Sequence, residues 1–408
     1  MGTTSSFFGG GGSTITTPSS GEFNNLTFLN NTTYTHGASG TRGKNPSIFP
    51  LKDNMFFLAE GDATSNVYIS LWTINDDGSC TNTAPAIQLS SFDFVGAGAS
   101  NGIDRLMVAG GHNNTTLINK IFEILWDGNS TISTYRSQTN FTNSMPEHST
   151  VGCLNDGTLL GLLGGATSGY VVTKWMAVRP TGTSTDGSLN ISINSATDTG
   201  KTAITGAGGY YMGENNGNSN YINGGFLGLT PLNSSSLVSV TNDTGGSVKN
   251  PSTSSFRSPH MFPLKSGAMQ SQYMDSSYNM YSFIQTSHDG GLLPVSPQFN
   301  YTTSFRPVLD NYDTFAAYQR MGTHFVRQCN GSYLMFSDRN NLTQGSHQVV
   351  FDNDLYQANY GTPFANISIN ASGSTGITGK TGTAVVGNYM VLAAPSNALL
   401  YLNVWKMN

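Results

Sequence analysis

Residues 47–94 decide the fold: SIFPLKDN (47–54), MFFLAEGD (55–62), VYISLWTINDDGS (67–79) and AIQLSSFDF (86–94). Each piece is short, enriched in β-branched and aromatic residues, and bounded by Gly, Asp or Asn. That is the punctuation of strands, with no apolar period suited to a helix. Read in order, they give a short inner strand, a strand ending in Gly61-Asp62, a long alternating strand and an outer strand. Val67, Ile69, Leu71 and Trp72 mark the third. Its turn, Asn75-Asp76-Asp77-Gly78, suits a hairpin because Asp and Gly tolerate positive φ.

The same order returns along the chain. A second unit reads IDRLMVAGGHNNTT (103–116) and INKIFEILWDGNSTIS (118–133). A third reads TVGCLNDGTLLGLLGGATSG (150–169), YVVTKWMAVRPTG (170–182) and SLNISINSA (188–196). A fourth, around 203–245, is more weakly patterned. The fifth and sixth begin at PHMFPLKSG (259–267) and HFVRQCNGS (324–332), and the seventh is GTAVVGNYMVLAAPSN (382–397) with ALLYLNVWKMN (398–408). Trp72, Trp126, Trp175 and Trp405 occupy the same place in their units, the third strand. Starts near 47, 103, 149, 203, 259, 323 and 383 give a period of roughly 46 to 64, close to four-stranded propeller blades with longer loops. The expected fold is therefore all-β, a seven-bladed β-propeller over residues 21–408 with six blades as the runner-up. An open solenoid or a two-domain sandwich is the competing architecture. The segment VLDNYDTFAAYQR (308–320) is the one short helix expected.

The two ends of the chain bear on this. The seventh unit ends after its third strand, while GEFNNLTFLNN (21–31) has the character of the outer strands SLNISINSA and PFANISINAS. Residues 22–30 are expected to pair beside residues 398–406 and to close the ring, because closure removes exposed strand edges.

Composition narrows the function. Only 10% of the 408 residues are charged and the net charge is -5, against about 25% charged in an average domain. No Lys/Arg run resembles a phosphate-tracking patch, so nucleic acid is not an expected partner. No apolar stretch approaches the roughly 20 residues that span a bilayer, so membrane insertion is not expected either. The first 20 residues have neither a basic region nor an apolar core, and so do not read as a signal peptide. Cys80, Cys153 and Cys329 are odd in number and widely spaced, which supports neither a zinc site nor a disulfide scaffold. A polar, uncharged, turn-rich chain with no export signal fits a protein folded in a host cytoplasm and released in a virion.

Catalytic signatures are lacking. Ser287-His288-Asp289-Gly290-Gly291 approaches the Asp-box turn of sialidase-type propellers but has Leu292-Leu293 where Thr and Trp would follow. That active site also needs three arginines, a Tyr nucleophile and acid/base carboxylates, and no spacing here selects such a set. Asp76-Asp77 and Asp352-x-Asp354 read as turn residues rather than calcium ligands. The seven His are scattered, with no HExxH or GxSxG; His148, His260 and His324 fall just before inner strands, where a propeller places residues near its channel. No catalytic residue, cofactor or metal is assigned. Candidate surface-binding residues are Tyr210, Tyr211 and Asn215 in one loop and Tyr301 and Phe305 in another, where aromatic faces and amides suit a glycan.

At the N-terminus, Phe7-Phe8 followed by Gly9 to Gly12 is an apolar pair on a Gly-rich tether, a candidate docking arm over residues 1–20. The stretch SSFFGGGGST (5–14) resembles the N-termini of tail and fibre proteins of marine bacteriophages. The resemblance implies a non-enzymatic virion protein, an assembly platform on the tail or a host-surface adhesin. Its expected partners are other virion proteins, copies of itself, and a host-surface glycan. The alternatives are a carbohydrate-binding propeller acting alone and a sialidase-like glycoside hydrolase.

Overall fold

The computed structural model describes residues 26–35, 44–61, 66–90, 94–112, 118–140, 150–154, 156–164, 172–188, 382–396 and 399–407, together with the backbone of further strands between 201 and 360. Among the described residues every element is a β-strand, and no helix is long and apolar enough to cross a membrane.

The first strand, β1 (Leu26–Thr35), does not pair with the strand that follows it. It lies antiparallel to the last, β29 (Leu399–Met407), with Leu26 opposite Met407 and Thr35 opposite Leu399. The pairing expected of residues 22–30 is thus made about four residues further along. β29 continues through β28 (Tyr389–Ser396) to β27 (Gly382–Val386), giving a sheet of order β1-β29-β28-β27. The remaining sheets are local meanders. β2 (Lys44–Lys52), β3 (Met55–Gly61), β4 (Asn66–Ile74) and β5 (Cys80–Ser90) form one; β6 (Phe94–Ser100), β7 (Arg105–His112), β8 (Ile118–Trp126) and β9 (Ile132–Asn140) form the next. A third comprises β10 (Thr150–Cys153), β11 (Leu159–Gly164), β12 (Val172–Val178) and β13 (Ser184–Ser188).

The weakly patterned unit also folds as a sheet, of β14 (Lys201–Thr205), β15 (Gly208–Glu214), β16 (Tyr221–Leu229) and β17 (Leu237–Ser239), with β18 (Val248–Lys249) added on β16. Then come β19 (Arg257–Pro263), β20 (Met269–Met274), β21 (Met280–His288) and β22 (Gly291–Tyr301), and β23 (Thr323–Arg327), β24 (Tyr333–Ser337), β25 (Ser346–Phe351) and β26 (Ala358–Tyr360). The helix expected at 308–320 falls outside the described residues. First strands lie side by side: β2 packs against β27 and β6, β10 against β6 and β14, β14 against β19, and β23 against β27.

The core sits between sheets rather than beneath one. Phe56 and Leu58 face the β27–β29 sheet with Trp72, Val391, Leu402 and Val404. Their neighbours Phe57 and Ala59 face the other way, into a cluster with Leu106, Val108, Ile124 and Trp126. Met107, Ile121, Leu159 and Met176 fill the next seam. Successive strand residues point to opposite faces, so a strand covered on both faces needs apolar residues without alternation. This is why FFLA, RLMVA and LLGLL read as continuous runs. All four tryptophans are on third strands and at most 7% exposed.

One unit boundary needs correcting. The second unit begins at β6, Phe94–Ser100, rather than near residue 103. FVGAGAS has few bulky residues because a neighbouring sheet presses on it: a Cβ at Gly98 would come within 2.7 Å of the Phe49 ring. Tyr210 and Tyr211 also change status. They are not loop residues but lie within β15, paired on both sides by β14 and β16, because GGYYMGE and YINGGFLGL form a hairpin of strand-favouring aromatics.

The hairpins that link strands one to two and three to four are tight. Asp53 (φ 47) turns β2 into β3, and Gly78, Gly102, Gly128, Gly157, Gly182 and Gly387 hold positive φ in their turns. Neighbouring turns touch. Ser100 Oγ donates to the Pro50 carbonyl, and a Cβ on Gly387 would overlap the Asp53 carbonyl oxygen.

Candidate functional site

Glu123 is the residue in β8 that the apolar pattern IFEIL does not explain. It is 0% exposed, and an isolated buried carboxylate is costly unless cations meet it. Two arginines do. Arg105, the first residue of β7, donates from Nη1 to Glu123 Oε1. Arg136 on β9 brings Nη1 to 3.5 Å from Glu123 Oε2. Arg105 Nε also lies 3.6 Å from Asp104 Oδ1.

Register explains the meeting. β8 and β9 shift between Glu123, opposite Arg136, and Ile124, opposite Thr134. Tyr135 is therefore the extra residue of a β-bulge, a device that re-aims side chains. Arg136 is thereby brought across from Glu123, and Tyr135 is left 53% exposed. The Arg136 guanidinium sits 4.6 Å from the Tyr135 ring centroid and that of Arg105 5.9 Å, within cation–π range.

Neighbouring backbone fixes Arg105. Asn101 Oδ1 accepts hydrogen bonds from the backbone N–H groups of Ile103, Asp104 and Arg105 at 2.9–3.0 Å, and its amide donates to Asp104 Oδ1 at 2.9 Å. From the next sheet, the turn at Gly182 closes on the guanidinium: a Cβ there would come within 2.9 Å of Arg105 Nη2. Further along the seam, Lys174 of β12 donates to the Thr139 carbonyl at 3.1 Å. Ile103, at the adjacent turn, is 59% exposed. In a chain of net charge -5, this seam sets Arg105 and Arg136 against Glu123 and Asp104 beside an exposed aromatic ring, with Lys174 further along it. Such a surface can stack a flat apolar face and bind an anionic group through a guanidinium.

The residues expected from the sequence lie elsewhere. Tyr210 and Tyr211 are in β15, Tyr301 is the last residue of β22 opposite Met280, and Phe7, Phe8, Asn215 and Phe305 fall outside the described residues. His260 and His324 are residues of the first strands β19 and β23; His148 falls outside. Ser287 and His288 end β21 across from Leu292 and Gly291, so the Asp-box-like stretch joins two paired strands; its Asp289 and Gly290 fall outside the described residues. Asp76 and Asp77 are turn residues: Asp77 Oδ1 accepts from the Ser79 N–H at 2.9 Å and its hydroxyl at 2.6 Å, which holds the Asp77 carboxyl below its ordinary range. Cys80 and Cys153 are free thiols, and burial pushes both up in pKa. Among the described residues no three His, Cys, Asp or Glu side chains gather as a metal site would need. The sequence signal for Glu123 was present, an acid inside an apolar strand, but its partners depend on a bulge that the sequence does not mark.

No protein-family model matches the chain, and no curated protein matches it. Among solved structures it is similar to the crystal structure of polysaccharide lyase Uly1, at 10% identity and a TM-score of 0.50, over 92% of each chain. At that identity the likeness concerns the fold.

Proposed function

We propose that the sheets are the blades of a seven-bladed propeller closed by β1, and that it binds an acidic polysaccharide at the seam between the β6–β9 and β10–β13 sheets. The ring reading is supported by the side-by-side packing of first strands and by the β1–β29 pairing, which joins the two ends of the chain in one sheet. The single observation that carries the function is Tyr135, 53% exposed beside two guanidiniums that buried Glu123 holds in place. A sugar ring stacks its C–H face on such an aromatic, and a uronate or sulfate accepts bidentate hydrogen bonds from arginine. The fold-level similarity to a polysaccharide lyase adds a polysaccharide context.

Binding rather than turnover is the reading, because both carboxylates of the site are engaged: Glu123 is enclosed between two arginines, and Asp104 accepts from the Asn101 amide and pairs with Arg105. A general base must reach the proton it removes, and Glu123 at 0% exposure does not. The glycoside hydrolase alternative asks for three clustered arginines; among the described residues two meet here.

Affinity electrophoresis in gels containing a polyuronate, a sulfated galactan or a neutral glucan tests this. Retention is expected in the acidic gels alone, falling about tenfold for Tyr135→Ala and weakening with added salt. Indifference to every acidic polymer would sink the reading. Ultraviolet absorbance from an unsaturated uronate product would reassign the chain as a lyase.

The virion role anticipated from the sequence is a second reading. It rests on the resemblance of residues 5–14; β1 lies at the edge of its sheet with Phe28 42% exposed, so the chain before residue 26 joins the molecule at that edge. Electron micrographs of phage particles assembled with and without residues 1–20 test it: a particle that keeps its full complement of the shortened chain removes the arm from assembly.

A further inference from the structure

The two arginines that meet Glu123 are not equivalent. A guanidinium carries five N–H donors on three nitrogens, and on Arg105 all three nitrogens face protein. Nη1 donates to Glu123 Oε1, and Nε lies 3.6 Å from Asp104 Oδ1. Nη2 is covered by the turn at Gly182, where a Cβ would come within 2.9 Å of it. The Arg105 side chain is 13% exposed. Arg136 is held by a single polar contact. Its Nη1 is buried 3.5 Å from Glu123 Oε2, and neither of those atoms makes a hydrogen bond. Among the described residues no acceptor meets its Nε or Nη2, and its side chain is 28% exposed.

Strand position explains the difference. β7 is paired on both sides, by β6 and β8, so Arg105 starts from inside the sheet. β9 is the edge strand. The bulge at Tyr135 sets Arg136 opposite Glu123, and the guanidinium then lies 4.6 Å from the neighbouring Tyr135 ring centroid. An exposed ring and an unused N–H edge thus come from consecutive residues of one edge strand. Glu123 acts as a backstop: by holding Nη1 inward it leaves the opposite edge, Nε with Nη2, to face outward. The formal charges of Arg105, Arg136, Glu123 and Asp104 cancel, so the group is not a broad basic patch. It offers one fork.

On the reading that this seam binds an acidic polysaccharide, we propose that Arg136 is its specificity-determining residue and Arg105 a positioning residue. Arg136 takes one anionic group of the polymer through its Nε–Nη2 edge while the sugar carrying that group stacks on Tyr135. Arg105 anchors Glu123 and does not touch the polymer. A carboxylate or a sulfate presents two oxygens that match this planar edge. A lysine ammonium at the same place keeps the charge but is a point donor without the fork.

Two measurements on the full-length chain test the assignment. In affinity electrophoresis through a polyuronate gel, Arg136→Lys is expected to weaken retention about tenfold, with thermal unfolding unchanged and with migration in a neutral glucan gel unchanged. Loss for Arg136→Gln with none for Arg136→Lys would show that charge alone suffices, and would overturn the fork. The second measurement uses the unsubstituted protein: phenylglyoxal modification read by peptide mass. Arg136 should be modified in the free protein and protected by the polyuronate. Arg105 should stay unmodified in both, reacting only once urea unfolds the chain. An Arg105 that is modified and then protected by polymer would reverse the roles. If the unsubstituted chain is not retained by any acidic gel, the polysaccharide reading itself fails and the assignment falls with it; retention equal in Arg136→Lys defeats the assignment alone.

Discussion

Gly78 and Gly128 end equivalent turns with nearly the same backbone, φ 80 and φ 85, yet their surroundings differ. A Cβ on Gly78 would overlap Leu29 of β1, while one on Gly128 meets nothing within 4 Å. Gly128→Ala is expected to cost only the left-handed backbone, about 1 kcal/mol. Gly78→Ala adds a steric clash and should cost about 2–4 kcal/mol in urea unfolding; equal costs would show that Leu29 is not seated on that turn. Cys80 gives a second residue-scale test. Burial, the largest influence, pushes its thiol from 9.0 up to about 12, against a smaller opposing effect of the Thr32 hydrogen bond. The unfolded chain then loses this proton at lower pH than the folded one. Its contribution is whole below about pH 9 and disappears as pH rises towards 12, at no more than about 1.4 kcal/mol per pH unit. The alkaline fall in stability should be shallower for Cys80→Ala than for the wild type, and native Cys80 should resist iodoacetamide at neutral pH until urea opens the sheet. Rapid alkylation of the folded protein would contradict both.

At the scale of strands, the reading from sequence succeeded where burial writes itself into residue type. Trp72, Trp126, Trp175 and Trp405 mark third strands because a large ring needs the inter-sheet space that position offers. It failed at β6, where close packing selects Gly and Ala and leaves no bulky alternation to detect, and at Tyr210 and Tyr211, where strand aromatics resemble a binding loop. The site suffered most, since Arg136 meets Glu123 only through the Tyr135 bulge. For β1 the partner was legible from its outer-strand character, but its register was not, because a bulge and the half-buried Asn31–Asn403 amide pair set it. Asn403 is 0% exposed and accepts from the Asn31 amide at 3.3 Å. Asn403→Leu alone strands a polar partner and should cost about 1–3 kcal/mol. Adding Asn31→Leu should recover part of that loss, with a coupling of roughly 0.5–2 kcal/mol in a double-mutant cycle. β1 amides should exchange faster in the single variant. Strictly additive losses would mean that the two amides do not act together.

Stacking sheets face to face also accounts for the composition of the whole molecule. A sheet covered on both faces has no solvent face to decorate, so few positions suit a charge; among the described residues Asp53, Asp76, Asp77, Asp127 and Asp156 sit in exposed turns. A level of 10% charged residues follows from that geometry. The β2–β5 sheet packs directly on the β27–β29 sheet, to which β1 adds an edge strand, so the first and last sheets of the chain meet. For a single compact unit of 408 residues the radius of gyration should be about 22 Å. An open arc of the same sheets is longer and keeps unpaired surface at each end, which favours association. Thr27 and Lys406 face each other across β1 and β29, and small-angle X-ray scattering on the Thr27→Cys/Lys406→Cys chain, with its disulfide locking β1 to β29, separates the two. A radius near 22 Å that is constant with concentration supports the closed ring. A larger radius that grows with concentration, from a chain whose lock has demonstrably formed, would leave β1 as an edge cover and the ring open.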